Sequence, residues 1–224
     1  MKPVRFFAIR HGETDYSRER RYAGARDVPL SPKGMRQCEA VGRALAGAFV
    51  GAVYASPLVR ARASAELIAA PHKLAVRAEP AFREMDFGAW AGLTRAEIAV
   101  RFPEESEAWS ADPRRVRPGG GETVDEVAAR VASGLAELLA EHEGATVVLV
   151  SHAIVTRLIV LAALGLGTDR LRSVDASPAG ITEIEYLDGW ATVHRMNTLA
   201  HLEALEGEPG LDPPAPPASG ERRL

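Results

Sequence analysis

The stretch Phe6–Tyr16, FFAIRHGETDY, begins as an apolar run and stops abruptly at Arg10, His11 and Gly12. The apolar part, Val4–Arg10, is typical of a strand that is buried on both faces of a parallel sheet. Glycine lets the chain turn sharply, and the two residues before it bring a permanent cation and a titratable nucleophile to the end of the strand. In open α/β sheets ligands bind outside the carboxyl ends of the strands, so this end is a candidate site.

Three more apolar runs, at 52–55, 74–78 and 146–151, predict buried strands of the same kind. Helices are expected at 31–49, 58–69, 123–142 and 154–164, and late antiparallel strands at 181–187 and 192–196. Ser31 followed by Pro32 is a helix start, and Thr123 with Glu126 has the spacing of a capping box. The alternation of strand and helix predicts the α/β class with a largely parallel sheet.

The chain has 224 residues and 46% hydrophobic content, which suits one domain. We expect this domain to cover residues 1–202. Residues 203–224 are rich in proline and glycine and nearly free of aliphatic side chains. Such a segment cannot bury enough apolar surface to offset its ordering entropy, so a disordered tail is predicted there.

Composition also limits the partners of the protein. The formal net charge of −3 gives no general basic field, so a nucleic-acid partner is not expected. Cys38 is the only cysteine, and the first residues lack the apolar region of a secretory signal, which together predict a cytoplasmic protein. No apolar run reaches the roughly 20 residues that a membrane-spanning helix needs, so no membrane partner is expected.

Polar clusters follow the predicted strands, and in a parallel sheet they would converge on one crevice; they are Arg10-His11, Ser56 to Arg60, Arg83-Glu84 and Ser151-His152. Arginines hold a phosphoryl group by charge-assisted bonds, a neutral imidazole can attack phosphorus, and a carboxylic acid can protonate the leaving oxygen. These residue types therefore predict phosphoryl transfer. The histidines lack metal-ligand spacing, so neither a metal nor a cofactor is expected.

Five segments resemble, in order, those of the histidine phosphatase superfamily, which is also called phosphoglycerate mutase-like. They are RHGET (10–14), SPLVRARASA (56–65), REMDFGAWAG (83–92), PGGGETVDEVAARV (118–131) and VVLVSHA (147–153). The resemblance extends from Val4 to about His201. It implies a three-layer α/β/α sandwich around a central, mostly parallel sheet.

The resemblance also implies a role for each matching residue. His11 would become the transient phosphohistidine, Arg10, Arg60 and His152 would bind the phosphoryl oxygens, and Glu84 would donate the proton. Ser17 stands where the family commonly has a phosphate-binding asparagine, and its shorter side chain would reach phosphate through water. Ala153 stands where glycine is frequent; its methyl group alters the pocket and its backbone N–H remains available.

These expectations favour a metal-independent phosphomonoesterase acting on a small phosphorylated metabolite. The segments 102–122 and 196–202 also resemble metal-independent phosphoserine phosphatases of the superfamily. A phosphoglycerate mutase and a non-catalytic phosphate-binding module remain alternatives; family mutases carry a longer insertion before the second histidine, which favours hydrolysis here. Arg114, Arg115 and Arg117 could meet a second anion or form a solvated basic loop, and a homodimer is left open.

Overall fold

The computed structural model describes residues 2–205, which form a six-stranded mixed sheet between two helical layers. The strands are β1 (Val4–Arg10), β2 (Ala52–Ala55), β3 (Val76–Ala78), β4 (Thr146–Ser151), β5 (Ile181–Leu187) and β6 (Trp190–Thr198). Their order is β3-β2-β4-β1-β5-β6. The first four strands in this order are parallel to one another, β5 is antiparallel to β1, and β6 is antiparallel to β5. The predicted α/β sandwich with a mostly parallel central sheet is confirmed.

Helices cover both faces of the sheet. They are α1 (Asp15–Arg18), α2 (Pro32–Leu45), α3 (Val59–Ala69), α4 (Arg95–Arg101), α5 (Pro103–Ala111), α6 (Val124–Glu141) and α7 (Ala153–Ala163). Phe6 and Ala8 of β1 pack into the core with α6 and α7, whereas Phe7 and Ile9 pack with α2 and α3. Because both faces of β1 are buried, its sequence is an almost unbroken apolar run.

The strand register brings the predicted polar clusters to one edge of the sheet. Arg10 of β1 lies opposite Ser151 of β4, and Ala55 of β2 lies opposite Val150. The backbone N–H of His11 donates to the Ser151 carbonyl at 2.9 Å, so the chain beyond β1 is still fastened to β4. The carboxyl ends of three parallel strands therefore meet at one point, as in other open α/β sheets.

Helix starts were predicted well and one helix end was not. Ser31 caps α2 by accepting from the Gly34 N–H, and Thr123 forms a complete capping box at the start of α6. However, α2 ends at Leu45 rather than near Phe49, which is 94% exposed. Gly47 follows this end, and glycine is a poor helix former, so the chain turns there. β3 is also shorter than the expected 74–78.

The segment between β3 and α6 contains two helices, α4 and α5, that were not predicted. Thr94 and Glu97 form a capping box at the start of α4. Trp109 of α5 is buried, and its ring lies 5.8 Å from the ring of Trp90. This segment is therefore part of the core and not a loose loop.

The last described element is the 3₁₀ helix Ala200–Leu205, which includes the first residues of the predicted tail. The rest of that tail, 206–224, lies outside the described residues. In the described part of the chain, every helix is too short or too polar to cross a membrane.

The loop after β1 touches α2 through a close approach of two backbones. A Cβ placed on Gly34 would collide with the Glu13 carbonyl oxygen, whereas one placed on Gly47 would meet no atom within 4 Å. Gly34→Ala is therefore expected to lower the free energy of unfolding by about 1–3 kcal/mol, as overpacking does in cores. Gly47→Ala is the control, because its added methyl group meets no atom within 4 Å. Urea unfolding of both variants measures the difference, and equal free energies of unfolding would contradict the argument.

Candidate active site

His11 has one ring nitrogen fixed and the other directed at an arginine. Its Nδ1 lies 2.7 Å from the Gly12 carbonyl oxygen, which can only accept, so Nδ1 carries the proton. Its Nε2 accepts a hydrogen bond from Arg60 Nε at 3.2 Å. The ring is buried, with 5% of the residue exposed. The unprotonated nitrogen of His11 therefore lies beside a cation in a desolvated site.

This environment keeps His11 neutral. Burial is the main cause that lowers the pKa of His11 well below its ordinary value, and Arg60 and Arg10 lower it further by charge repulsion. The same causes, burial first and Arg60 next, lower the pKa of His152. A neutral imidazole keeps its lone pair, which a nucleophile requires.

His152 lies beside His11 and is oriented by a serine. The centroids of the two rings are 5.2 Å apart. His152 Nε2 lies 2.7 Å from Ser56 Oγ, and that oxygen also accepts from the Leu58 N–H at 3.3 Å. The Ser56 hydroxyl can donate to Nε2, and in that tautomer the His152 proton lies on Nδ1. Within residues 2–205, this Nδ1 has no hydrogen-bond partner.

Ser56 is a functional residue that the sequence analysis did not assign. It stands in the polar cluster after β2, but nothing in the sequence pairs it with a residue 96 positions away. It is fully buried, with 0% exposure. A buried hydroxyl that fixes the tautomer of a buried histidine is a positioning group, because it decides which nitrogen points into the site.

Of the two predicted arginines, Arg60 is buried and Arg10 is half-buried, and both have few acceptors. Arg60, 1% exposed, donates from its two terminal nitrogens to the carbonyls of Arg26 and Gly24 at 2.7 and 2.8 Å. Arg10 donates to the Ala176 carbonyl at 2.7 Å, and among the described residues its Nε has no partner. Burial lowers the pKa of Arg10 to about 10. Both side chains stay cationic at neutral pH, so the site attracts an anion.

Glu84 is the carboxyl group of this site. It is 8% exposed, accepts from the Met85 N–H at 2.9 Å and lies close to the backbone of Ile154. Burial raises the pKa of Glu84, and this effect exceeds the opposing pull of Arg60 and Arg10. The carboxyl group therefore keeps its proton at higher pH than an exposed glutamate does.

Arg130 of α6 fastens the segment that carries Glu84. Its terminal nitrogens donate to the carbonyls of Ala81 and Arg83 at 2.7 Å and to that of Glu84 at 3.2 Å. Its Nε donates to Glu122 at 2.9 Å, which neutralises the guanidinium charge. Glu84 is thus held by its backbone while its carboxyl group remains in the site.

The two other candidate substrate-binding residues differ in what they offer. The Ser17 hydroxyl donates to the Thr14 carbonyl at 2.9 Å and accepts from the Thr14 N–H at 2.9 Å, so it closes the capping box of α1. Its hydrogen bonds are thus made within the loop. Ala153 is the first residue of α7 and follows the cap residue His152, and N–H groups at such a helix start favour anions.

The basic loop 114–117 is occupied by acidic partners. Arg114 makes two bonds to Asp112, at 3.0 and 2.8 Å, and Arg115 lies 3.5 Å from the same carboxylate. Arg117 pairs with Glu126 at 2.5 Å. These contacts favour a solvated, internally paired loop over a second anion site. Among residues 2–205, no group of three or more histidine, cysteine, aspartate or glutamate side chains could hold a metal ion.

This sheet edge brings together two buried histidines, two arginines and a buried carboxyl group, the residue types that phosphoryl chemistry requires. Residues 6–199 match the model of the histidine phosphatase superfamily (branch 1). The chain belongs to this family, as the five sequence segments predicted.

Relatives within the family have several activities in their names. The chain is 30% identical over 199 residues to phosphoserine phosphatase 1 of Hydrogenobacter thermophilus, covering 89% of this chain and 94% of that protein. It is 31% identical over 219 residues to the probable phosphoglycerate mutase GpmB of Salmonella choleraesuis, covering 93% and 98%. The family and these relatives support a phosphatase or phosphotransferase activity.

Two further comparisons concern architecture. A bifunctional protein of Mycobacterium tuberculosis is 37% identical over 202 residues, which are 89% of this chain and 55% of that protein. The chain therefore spans about half the length of this relative. The crystal structure of the α-ribazole phosphatase from Shigella flexneri superimposes with a TM-score of 0.81 at 26% identity, covering 87% of this chain and 96% of that one.

The hydrogen bonds of the two site histidines predict their titration. At pH about 5.5, below the pKa of about 6.5 of a free histidine, both rings should remain neutral with the proton on Nδ1. Nitrogen-15 NMR of the histidine side chains measures this. In Ser56→Ala, His152 should lose its single tautomer while His11 keeps its own. Protonation of either ring near pH 6.5 in the wild type would contradict the assignment.

Proposed function

We propose that this protein is a metal-independent phosphomonoesterase that hydrolyses a small phosphorylated metabolite through a phosphohistidine at His11. The observation that carries the proposal is the contact of the unprotonated His11 Nε2 with Arg60 Nε at 3.2 Å, in a buried site that also holds Glu84. A nucleophile, a cation for the phosphoryl oxygens and a carboxylic acid are then all present. No cofactor is needed for the reaction below.

In the first step the Arg60 Nε–H shifts its hydrogen bond from His11 Nε2 to a phosphoryl oxygen, and the freed lone pair of Nε2 attacks phosphorus in line with the leaving oxygen. The N–P bond forms as the P–O bond to the alcohol breaks, and Glu84 gives its proton to the departing oxygen. Arg10, Arg60 and the Nδ1–H of His152 face the equatorial oxygens and stabilise their charge, which is the main source of catalysis in such transfers. The bond from His11 Nδ1–H to the Gly12 carbonyl holds the ring throughout.

In the second step the Glu84 carboxylate takes a proton from water, and the water oxygen attacks the phosphohistidine. The P–N bond breaks, its electron pair returns to His11 Nε2, and inorganic phosphate leaves. Glu84 ends the cycle protonated, as it began. Its raised pKa suits this double use, because the group must both give and take a proton near neutral pH.

The proposed substrate is a small-molecule phosphomonoester of the phosphoserine type. The named phosphoserine phosphatase aligns with 89% of this chain, which supports this choice among phosphorylated metabolites. A cytoplasmic location remains a prediction from the sequence.

A phosphoglycerate mutase is the second candidate, favoured by the relative of that name. That alignment covers 98% of the relative, so chain length does not separate the two proteins, and the absence of a longer insertion is no argument against this branch. A mutase would keep the phosphoryl group on His11 and return it to substrate. Assaying phosphomonoesters with and without bisphosphoglycerate distinguishes hydrolysis, mutase activity and a non-catalytic module.

The first expected outcome concerns the intermediate. Rapid quenching during turnover of a phosphomonoester should trap an acid-labile phosphoryl group on His11, because its Nε2 is the unprotonated nitrogen of the site. His11→Ala should abolish the label, whereas His194→Ala, which removes an exposed histidine on β6, should retain it. If the His11→Ala protein were labelled to the same extent as the wild type, the proposal would be wrong.

The second expected outcome concerns the proton-donor role of Glu84. Glu84→Gln keeps the shape but cannot release a proton, so kcat should fall by roughly 10² to 10⁴, as for loss of a general acid. The loss should be larger for an alkyl phosphate than for p-nitrophenyl phosphate, whose phenolate leaves without a proton. Steady-state kinetics on both substrates measure this, provided that the chemical step limits each rate.

The pH dependence of kcat/KM in Glu84→Gln is the control for the proton-donor role of Glu84. In the wild type kcat/KM should fall as pH rises through the raised pKa of Glu84, because the protonated form is the acid. Glu84→Gln should lack this alkaline decline. Equal losses on the two substrates together with an unchanged profile would mean that Glu84 only supports the fold.

A further inference from the structure

Arg157 of α7 is a buried cation that the proposed reaction does not use. Its side chain is 3% exposed, and its Nη2 lies 3.7 Å from Asp175 Oδ1, which is longer than a hydrogen bond. Among the described residues, its Nε has no hydrogen-bond partner. Burying a guanidinium N–H without an acceptor is costly, so Arg157 Nε is a buried donor that an anionic acceptor would satisfy.

Asp175 compensates Arg157 only in part. Its Oδ1 accepts from the Ala176 N–H at 2.9 Å, and its Oδ2 accepts from Ser177 Oγ at 3.2 Å and Asn197 Nδ2 at 3.4 Å. The Asp175 side chain is also 41% exposed, so water screens its charge. The carboxylate thus divides its contacts between its own loop and Arg157.

The position of Arg157 places it on the acid side of the site. The backbone of Ile154, in the first turn of α7, bonds to the Glu84 carboxyl group, and Arg157, about one turn further along α7, is close enough for its charge to interact with Glu84. Arg10 donates to the Ala176 carbonyl, next to the aspartate that faces Arg157. Since Glu84 protonates the leaving oxygen, the alcohol part of the substrate must lie on this side.

We propose that Arg157 binds a carboxylate carried by the leaving alcohol, and so selects phosphomonoesters of hydroxy acids. The inference rests on the proposed phosphatase reaction and specifies its substrate class. Arg10 and Arg60 face the phosphoryl oxygens, so the charge of Arg157 is left for a second anionic group. A planar carboxylate matches the fork of a guanidinium, which supplies the hydrogen bonds that Arg157 lacks.

The test compares substrates that differ only in the carboxylate. O-phosphoserine pairs with O-phosphoethanolamine, and 3-phosphoglycerate pairs with glycerol 3-phosphate. The wild type should prefer the carboxylated member of each pair in kcat/KM. Arg157→Met should reduce this preference by about 10- to 100-fold, the effect of losing a charge-assisted hydrogen bond, and Arg157→Lys should reduce it less. Arg62→Met removes an exposed arginine of α3 and should keep the preference.

The outcomes separate this inference from the proposed function. If the wild type hydrolyses none of the phosphomonoesters, the proposed function fails. If it hydrolyses both members of each pair equally well, or if the Arg157 variants lose activity on both equally, only the role of Arg157 fails. Melting temperatures verify folding, and should Arg157→Met not fold, the preference of Arg157→Lys decides: an unchanged ratio overturns the role.

Discussion

Arg60 Nε and His11 Nε2 meet at 3.2 Å in a buried site, and this contact requires the imidazole to be neutral. A protonated ring would bring two cations together without water between them. Burial and the two arginines disfavour that form, so as the proposed nucleophile His11 needs no separate base to remove a proton. The tight loop after β1 and the carbonyls that hold Arg60 both serve to maintain this one contact.

The same desolvation determines the charge balance of the two arginines and the pKa of Glu84. Arg10 and Arg60 donate mainly to backbone carbonyls, which satisfy hydrogen bonds without cancelling the positive charge. In the proposed reaction the phosphoryl group of the substrate supplies the negative charge that these carbonyls do not. Glu84 lies in the same field, yet burial still raises its pKa, because its own desolvation exceeds the attraction of the arginines. One sheet edge thus holds a neutral imidazole, two cations and a carboxyl group whose pKa is raised.

The sequence predicted this site where local pattern and strand direction are sufficient. The run Val4–Arg10 had to be a doubly buried strand, and parallel strands bring their carboxyl ends together. What it could not show are contacts between distant side chains: the pairing of Ser56 with His152 joins two strands, and Arg130 reaches the Glu84 segment from another helix. Thr94 and Glu97 have the spacing of a capping box, which is a sequence signal for the start of α4 that the sequence analysis did not use.

The two faces of the sheet contribute different side chains to this edge. Arg60 comes from α3 on one face, whereas Glu84 and Arg157 come from the Glu84 segment and α7 on the other. In the proposed reaction Arg60 contacts the phosphoryl group and Arg157 contacts the alcohol, so these two contacts come from opposite faces of the sheet. A substitution at Arg157 would then change which alcohol is preferred while Arg60 keeps its own contacts. This separation gives a physical reason why one phosphoryl site can serve relatives that are named for different substrates.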